Sequence, residues 1–279
     1  MAISYRNGLS IAELAVFAPA LVVAILLGFR HGFGKSSGWY FLILLSLARI
    51  IGSSMELATI NDPANVSLYT GAAVLQTIGI SPLILATLGL LNRVMSDVQE
   101  KGHTIVQPRI LRLLQLLLLV ALILGIVGGI QGSDDSSKTG KYTPQTASKV
   151  GIILYIVAFI ALVGILVLSS GSISKVSPGE KRILLAVAAS LPFILVRIIY
   201  SVMSTIANNP SFNAFSGNVT ILLCMADIEE WVVVIIYLAV GLTLSKKIQA
   251  PSGQPNESAP KPQHSTEYPD AKRHEHQAW

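Results

Sequence analysis

Runs of roughly twenty apolar residues recur along this 279-residue chain, separated by short polar stretches. A helix of that length crosses the hydrocarbon of a bilayer, where every backbone N–H and C=O must find its partner within the protein. The pattern restricts the chain to an all-α, polytopic membrane protein. Seven segments qualify, at approximately 10–29, 39–60, 68–91, 110–130, 148–169, 183–206 and 218–244. Only 13% of the residues are charged, against about 25% in soluble domains. The net charge of +5 comes from residues in short loops, which determine topology and form no patch for nucleic acid. The single cysteine, Cys224, excludes an intramolecular disulfide and a multi-cysteine metal site. It lies in an apolar run and reads as a small core residue.

Residues 1–249 are expected to form one seven-transmembrane domain. The proline-rich tail at 250–279, mixed in charge, reads as disordered and cytosolic. Its His274-Glu275-His276 reads as solvated tail, so no metal or other cofactor is expected. Lysine and arginine place the N-terminus outside or lumenal and the C-terminus in the cytosol. Eleven lie on one side (Arg30, Lys35, Arg93, Lys101, Arg109, Arg112, Lys175, Lys181, Arg182, Lys246, Lys247) and four on the other (Arg6, Lys138, Lys141, Lys149). The glycosylation sequons at Asn65 and Asn218 both fall on the outer side. Trp39-Tyr40 reads as an interfacial anchor. Ser10-Ile-Ala-Glu13 and Ser177-Pro178-Gly179-Glu180 read as capping boxes, which gives Glu13 and Glu180 structural roles.

The phrase LARIIGSSM at 47–55 returns as LVRIIYSVM at 195–203, identical at six of nine positions. Aligning Arg49 on Arg197 also aligns Ser53 on Ser201, Met55 on Met203 and Asn61 on Asn209. The copies lie in spans 2 and 6, which run in the same direction. They imply parallel three-helix repeats, spans 1–3 and 5–7, joined by span 4 in a 3+1+3 layout. Prolines at 19, 82 and 192 are expected to kink spans 1, 3 and 6. Gly125, Gly128 and Gly129 in span 4 suit close helix approach.

Charges inside these spans are the functional candidates. At 1.5 Å per residue, Arg49 lies about 15 Å from its entry and Arg197 about 21 Å from its own. Span 7 supplies Asp227, Glu229 and Glu230, and span 2 adds Glu56. Asp227 and Glu230 share a face, while Glu229 points elsewhere. Charged groups at this depth face the bundle interior and pair. Two arginines neutralise two acids, so two carboxylates remain to hold a proton or a cation. Ser53, Gln76, Tyr200, Ser201 and Tyr237 are the expected cavity lining. The alternative is that Arg49 and Arg197 only bridge spans and lock the bundle.

With these residues the chain resembles the fungal seven-span integral membrane proteins. Arg197-Ile-Ile-Tyr200 and Glu230-Trp231 are similar to features of the RTA-like lipid-translocating exporters, whose second span-6 arginine and following glutamate are absent here. An acid in an early span and one in the last, as Glu56 and Asp227, resembles the membrane-bound terpene cyclases of meroterpenoid pathways. That resemblance implies an enzyme acting on a hydrophobic prenylated substrate. Glu56, Asp227 and Glu230 would serve as acid catalysts, with Arg49, Arg197 and Glu229 as ion-pair or positioning residues. The exporter resemblance implies a lipid or small-molecule carrier, and seven spans with an outer N-terminus also fit a receptor. Either way the chain's setting is the lipid bilayer of the endoplasmic reticulum or plasma membrane. Oligomeric state stays open.

Overall fold

The apolar runs are helical throughout the residues that the computed structural model describes, namely 4–31, 38–100, 106–139, 145–171, 176–207, 209–212 and 217–244. The helices are α1 (Tyr5–His31), α2 (Gly38–Ala58), α3 (Val66–Ile78), α4 (Ile80–Glu100), α5 (Pro108–Thr139), α6 (Thr146–Ser170) and α7 (Pro178–Thr205). A short 3₁₀ turn, Pro210–Phe212, leads to α8 (Val219–Leu222), a π turn (Leu223–Asp227) and α9 (Ile228–Thr243). No strand occurs among the described residues. Residues 1–246 form one compact unit. The tail, with His274 and His276, lies outside the described residues.

Six helical stretches are long and apolar enough to cross a membrane: α1, α2, Val66–Gln99, Pro108–Gly132, α6 and Gly179–Thr205. Their outward faces are apolar too, with Leu26, Phe29, Leu113, Leu116, Ile160 and Leu185 all exposed. Apolar surface on that scale suits contact with lipid. The last helical run is the exception, since it carries three acids and is divided by the π turn.

Helix α1 packs on α2, α2 on α3 and α4, α5 on α6, and α7 on α4 and α9. Phe17, Leu42, Leu83, Ile183, Val187 and Tyr237 are fully buried in the apolar core. Toward the start of α7 the core is closed by polar clamps. Arg93 of α4 donates three hydrogen bonds to Glu180 at 3.0–3.2 Å, and Asp97 accepts from Ser177 N and Oγ at 3.1 and 3.0 Å.

Several local expectations change. Helix α1 starts at Tyr5, so Ser10 sits inside it and its hydroxyl donates to Arg6 O at 3.3 Å. The expected capping box at Ser10–Glu13 does not exist, and Glu13 faces the interior. Ser177 is the N-cap of α7 with proline following, but its side chain bonds Asp97 instead of capping. Glu180 is taken by Arg93. Trp39 is buried and stacked on His31 at 5.8 Å, while Tyr40 beside it is exposed. Cys224 is exposed, not core. The sequon asparagines Asn65 and Asn218 cap α3 and α8 by accepting from Ser67 N and Thr220 N.

Pro19 and Pro192 lie within helices, and Pro82 lies in the first turn of α4. Its ring has no N–H and crowds the carbonyl of Ile78, four residues back. Only Gly79 separates α3 from α4, and its dihedrals stay helical (φ −51°, ψ −28°).

Gly128 lets α5 and α6 touch. A Cβ there would stand 2.5 Å from the backbone nitrogen of Ser148, whereas one on Gly164 would meet nothing within 4 Å. Gly128→Ala is therefore expected to lower stability by about 1–3 kcal/mol, as overpacking does. Gly164→Ala is expected to leave it unchanged or slightly raised. Unfolding of the purified protein in detergent measures both.

Candidate functional site

Helix α2 buries Leu42, Leu45, Ser46, Arg49, Gly52, Ser53 and Glu56, a stripe at helical spacing. Arg49 stands on this stripe, and its side chain is 1% exposed. A guanidinium buried this deeply needs partners for its donors, and they come from three other helical segments. From α9, Glu230 accepts from Nε at 2.6 Å and from Nη2 at 2.5 Å. This is the bidentate geometry in which arginine binds carboxylate most strongly. From α1, Glu13 accepts from Nη1 at 3.1 Å. From α3, the Gln76 side-chain oxygen accepts from the same nitrogen. The carboxylate of Asp227, at the end of the π turn, is 3.5 Å away.

These partners also bind one another. The Gln76 amide nitrogen donates to Asp227 Oδ1 at 2.6 Å and to Glu13 Oε1 at 3.2 Å. Ser53 donates to the other Glu13 oxygen at 2.5 Å. Gly79 makes room for the pair, since a Cβ there would stand 2.7 Å from Arg49 Nη2 and 2.8 Å from Glu230 Oε2. The junction between α3 and α4 thus falls where a side chain would collide with the buried ion pair.

Arg197 approaches the same place from α7, and it too is buried. Its Nη2 donates to the Gln76 carbonyl at 2.9 Å. That carbonyl belongs to the last turn of α3. Its guanidinium lies 5.7 Å from the Tyr200 ring centroid, within cation–π range. Its Nε has no partner among the described residues, and neither has Asp227 Oδ2. The two arginines of the repeated phrase therefore meet at one residue, Gln76, through its side chain and its backbone.

Two cavities abut this cluster, and Gln76 and Leu222 line both. The smaller, about 30 Å³, is polar and is bordered by Arg6, Ser10, Glu13, Ser53 and Glu56. The larger, about 40 Å³, is bordered by Ile80, Leu122, Ile152, Tyr155, Arg197 and Tyr200, with serine hydroxyls between them. No carboxylate lines the larger cavity among the described residues.

The structure brings Arg49, Arg197, Ser53, Gln76, Asp227 and Glu230 together, with Tyr200 and Ser201 at the cavity wall. Glu56 stands apart, 4.0 Å from Arg6 at the border of the polar cavity. Glu229 is half-buried outside the cluster, with Oε2 unpartnered. Tyr237 is fully buried beyond it, sharing a hydrogen bond of 2.7 Å with Thr87. Sequence reasoning missed Glu13, because its spacing from Ser10 imitated a cap. The available signal was an acid flanked by apolar residues in a run long enough to span.

A family model described as a domain of unknown function, DUF7702, matches residues 3–247. No curated protein and no solved structure matches the chain.

Removing Arg49 would strand three buried acids. Arg49→Gln is expected to destabilise the protein by about 3–5 kcal/mol, the range for breaking a buried ion pair from one side. Glu56→Gln, which loses only a 4.0 Å pair with the half-buried Arg6, is expected to cost clearly less than Arg49→Gln. Equal losses in denaturant unfolding of the two variants would contradict this division.

Proposed function

The chain belongs to the DUF7702 family, and we propose that it is a proton-linked membrane carrier of a small amphiphile. In this reading it has seven spans, an outer or lumenal N-terminus and a cytosolic C-terminus. Two parallel three-helix repeats are joined by α5, and the protein sits in the endoplasmic reticulum or plasma membrane.

The observation that carries the reading is the meeting of two helix irregularities at the charged cluster. One is the Gly79 junction between α3 and α4, against Arg49; the other is the π turn that ends at Asp227. Transporters use broken helices to build substrate and coupling-ion sites near the midplane, and π turns recur at functional sites. The offset that lays Arg49 on Arg197 also lays Gly79 on Asp227. Each proposed repeat thus carries its irregularity at the same place. Charge supports proton linkage: Glu13, Asp227 and Glu230 all lie within ion-pair distance of Arg49. The acids beyond the one that Arg49 neutralises are left in this dry cluster to hold a proton or a cation.

Acid catalysis, as in a terpene cyclase, has less support. A catalytic acid must come within hydrogen-bond reach of its substrate. The more apolar of the two cavities has no carboxylate in its wall among the described residues. The acids border the small polar cavity or lie behind Gln76.

Thiol accessibility tests the carrier reading without a known cargo. In a Cys224→Ala background, Ser204→Cys reports the larger cavity and Ser190→Cys reports the fully buried half of α7. A membrane-impermeant thiol reagent is expected to label Ser204→Cys from the N-terminal side. As pH is lowered, labelling there should change reciprocally with labelling of Ser190→Cys from the cytosolic side, and Asp227→Asn should abolish that pH response. A fixed pattern across pH would end the carrier reading. Conversion of a prenylated epoxide by membranes, lost in Asp227→Asn, would put the enzyme in its place.

A further inference from the structure

The larger cavity is unlike the polar one in carrying a single formal charge, and that charge is positive. Arg197 lines it, is 2% exposed and has its Nε unpartnered. One edge of the guanidinium is committed to the Gln76 carbonyl, and the Tyr200 ring lies against it. No carboxylate oxygen lies within ion-pair distance of it among the described residues, although Asp227 and Glu230 are close enough to feel its charge. An arginine held this way keeps a donor for a further acceptor, and orphaned buried donors cost stability until one arrives.

The remaining wall specifies what the acceptor is attached to. Ile80, Leu122, Ile152 and Leu222 make most of it apolar, and Ser148 and Ser204 add hydroxyls. Gly125 leaves space, because the nearest group to a Cβ there is the Tyr155 hydroxyl at 3.8 Å. The enclosed space, about 40 Å³, is room for a head group and not for a chain, since one buried water needs about 10–15 Å³ on the same measure. We propose that this cavity takes the anionic head group, carboxylate or phosphate, of a single-chain amphiphile on Arg197, with the chain leaving it along the α5–α6 wall. A cationic head would meet the guanidinium with no acid beside it, and a neutral head would leave the buried charge unanswered.

The assignment rests on the carrier reading only in naming its cargo, because binding is measured without transport. The probes are dodecyl phosphate, dodecanoate, dodecanol and dodecyltrimethylammonium, titrated calorimetrically into the full-length protein in phosphatidylcholine nanodiscs. The two anions are expected to bind at least tenfold more tightly than the alcohol, and the cation not measurably. Arg197→Gln should bring the anions to the level of the alcohol, and Arg197→Lys should retain part of the difference. Ser204→Leu, at the half-buried rim, should weaken every chain-bearing probe that binds. Should Arg197→Gln fail to fold, the head-group series and Ser204→Leu decide.

Equal affinity for phosphate and alcohol overturns the assignment, as does unchanged anion binding in a folded Arg197→Gln protein. Nanodiscs containing phosphatidic acid separate the sources. Displacement of dodecyl phosphate by that lipid identifies the head group as a membrane lipid's. Undiminished binding identifies a free amphiphile. Loss of binding with a preserved reciprocal labelling response would sink this assignment alone, and binding with a fixed labelling pattern would sink the carrier alone.

Discussion

A guanidinium buried among membrane-spanning helices is the constraint on which the rest of this bundle depends. Charge at that depth is costly unless every donor is answered, and Arg49 cannot be answered from its own helix. Its partners arrive on α1 through Glu13, on α3 through Gln76, on α9 through Glu230 and on the π turn through Asp227. Apolar helices slide and rotate against one another at little cost in lipid, because no solvent difference opposes it. A bidentate ion pair and a shared glutamine do oppose it, by setting depth and rotation at once. Stability at this point therefore implies register, and register fixes where the two cavities lie.

The cluster also explains irregularities that would weaken an isolated helix. A proline at 82 and a glycine at 79 perturb one helix at the α3–α4 junction, and a π turn disturbs another. Each has a compensation nearby. The carbonyl of Gln76 is taken by Arg197, and the absent side chain at Gly79 admits the Arg49–Glu230 pair. In lipid an unsatisfied backbone group has no water to turn to, so a break is tolerated only beside polar groups that answer it.

Much of this was legible in the sequence, for physical reasons that differ by residue. Apolar run length marks helices, because only helices satisfy their backbone in lipid. The i,i+3 spacing of Asp227 and Glu230 put both on one face, and both reach Arg49 despite the π turn. Gln76 stood out as a polar residue within an apolar run. Glu13 was hidden because a cap and a buried acid share the same local pattern. Only the position of the helix start, at Tyr5, separates them. Glu56 was misleading in the opposite way. It shares the Arg49 face of α2, but two turns carry it to the level of Arg6, where it pairs at the cavity border. Trp39 looked interfacial by its place at a helix start. Its ring instead fills the space left by Gly241, where a Cβ would stand 2.5 Å from it.

The repeated phrase placed two arginines in corresponding positions, but their surroundings are not equivalent. Around the first, Ser53 donates to Glu13, and three acids and a glutamine lie against the guanidinium. Around the second, Ser201 turns its hydroxyl back to the Arg197 carbonyl, and the guanidinium keeps an unused donor at a cavity wall. A duplication alone predicts two similar sites. What differs is the supply of acids: α1 and the last helical run both direct theirs to Arg49. One arginine is thereby committed to holding helices together, and the other is left with binding capacity. Gln76 links them, since its amide faces the acids while its carbonyl holds Arg197. Gln76 thus joins both guanidinium groups and the acids in one hydrogen-bonded network.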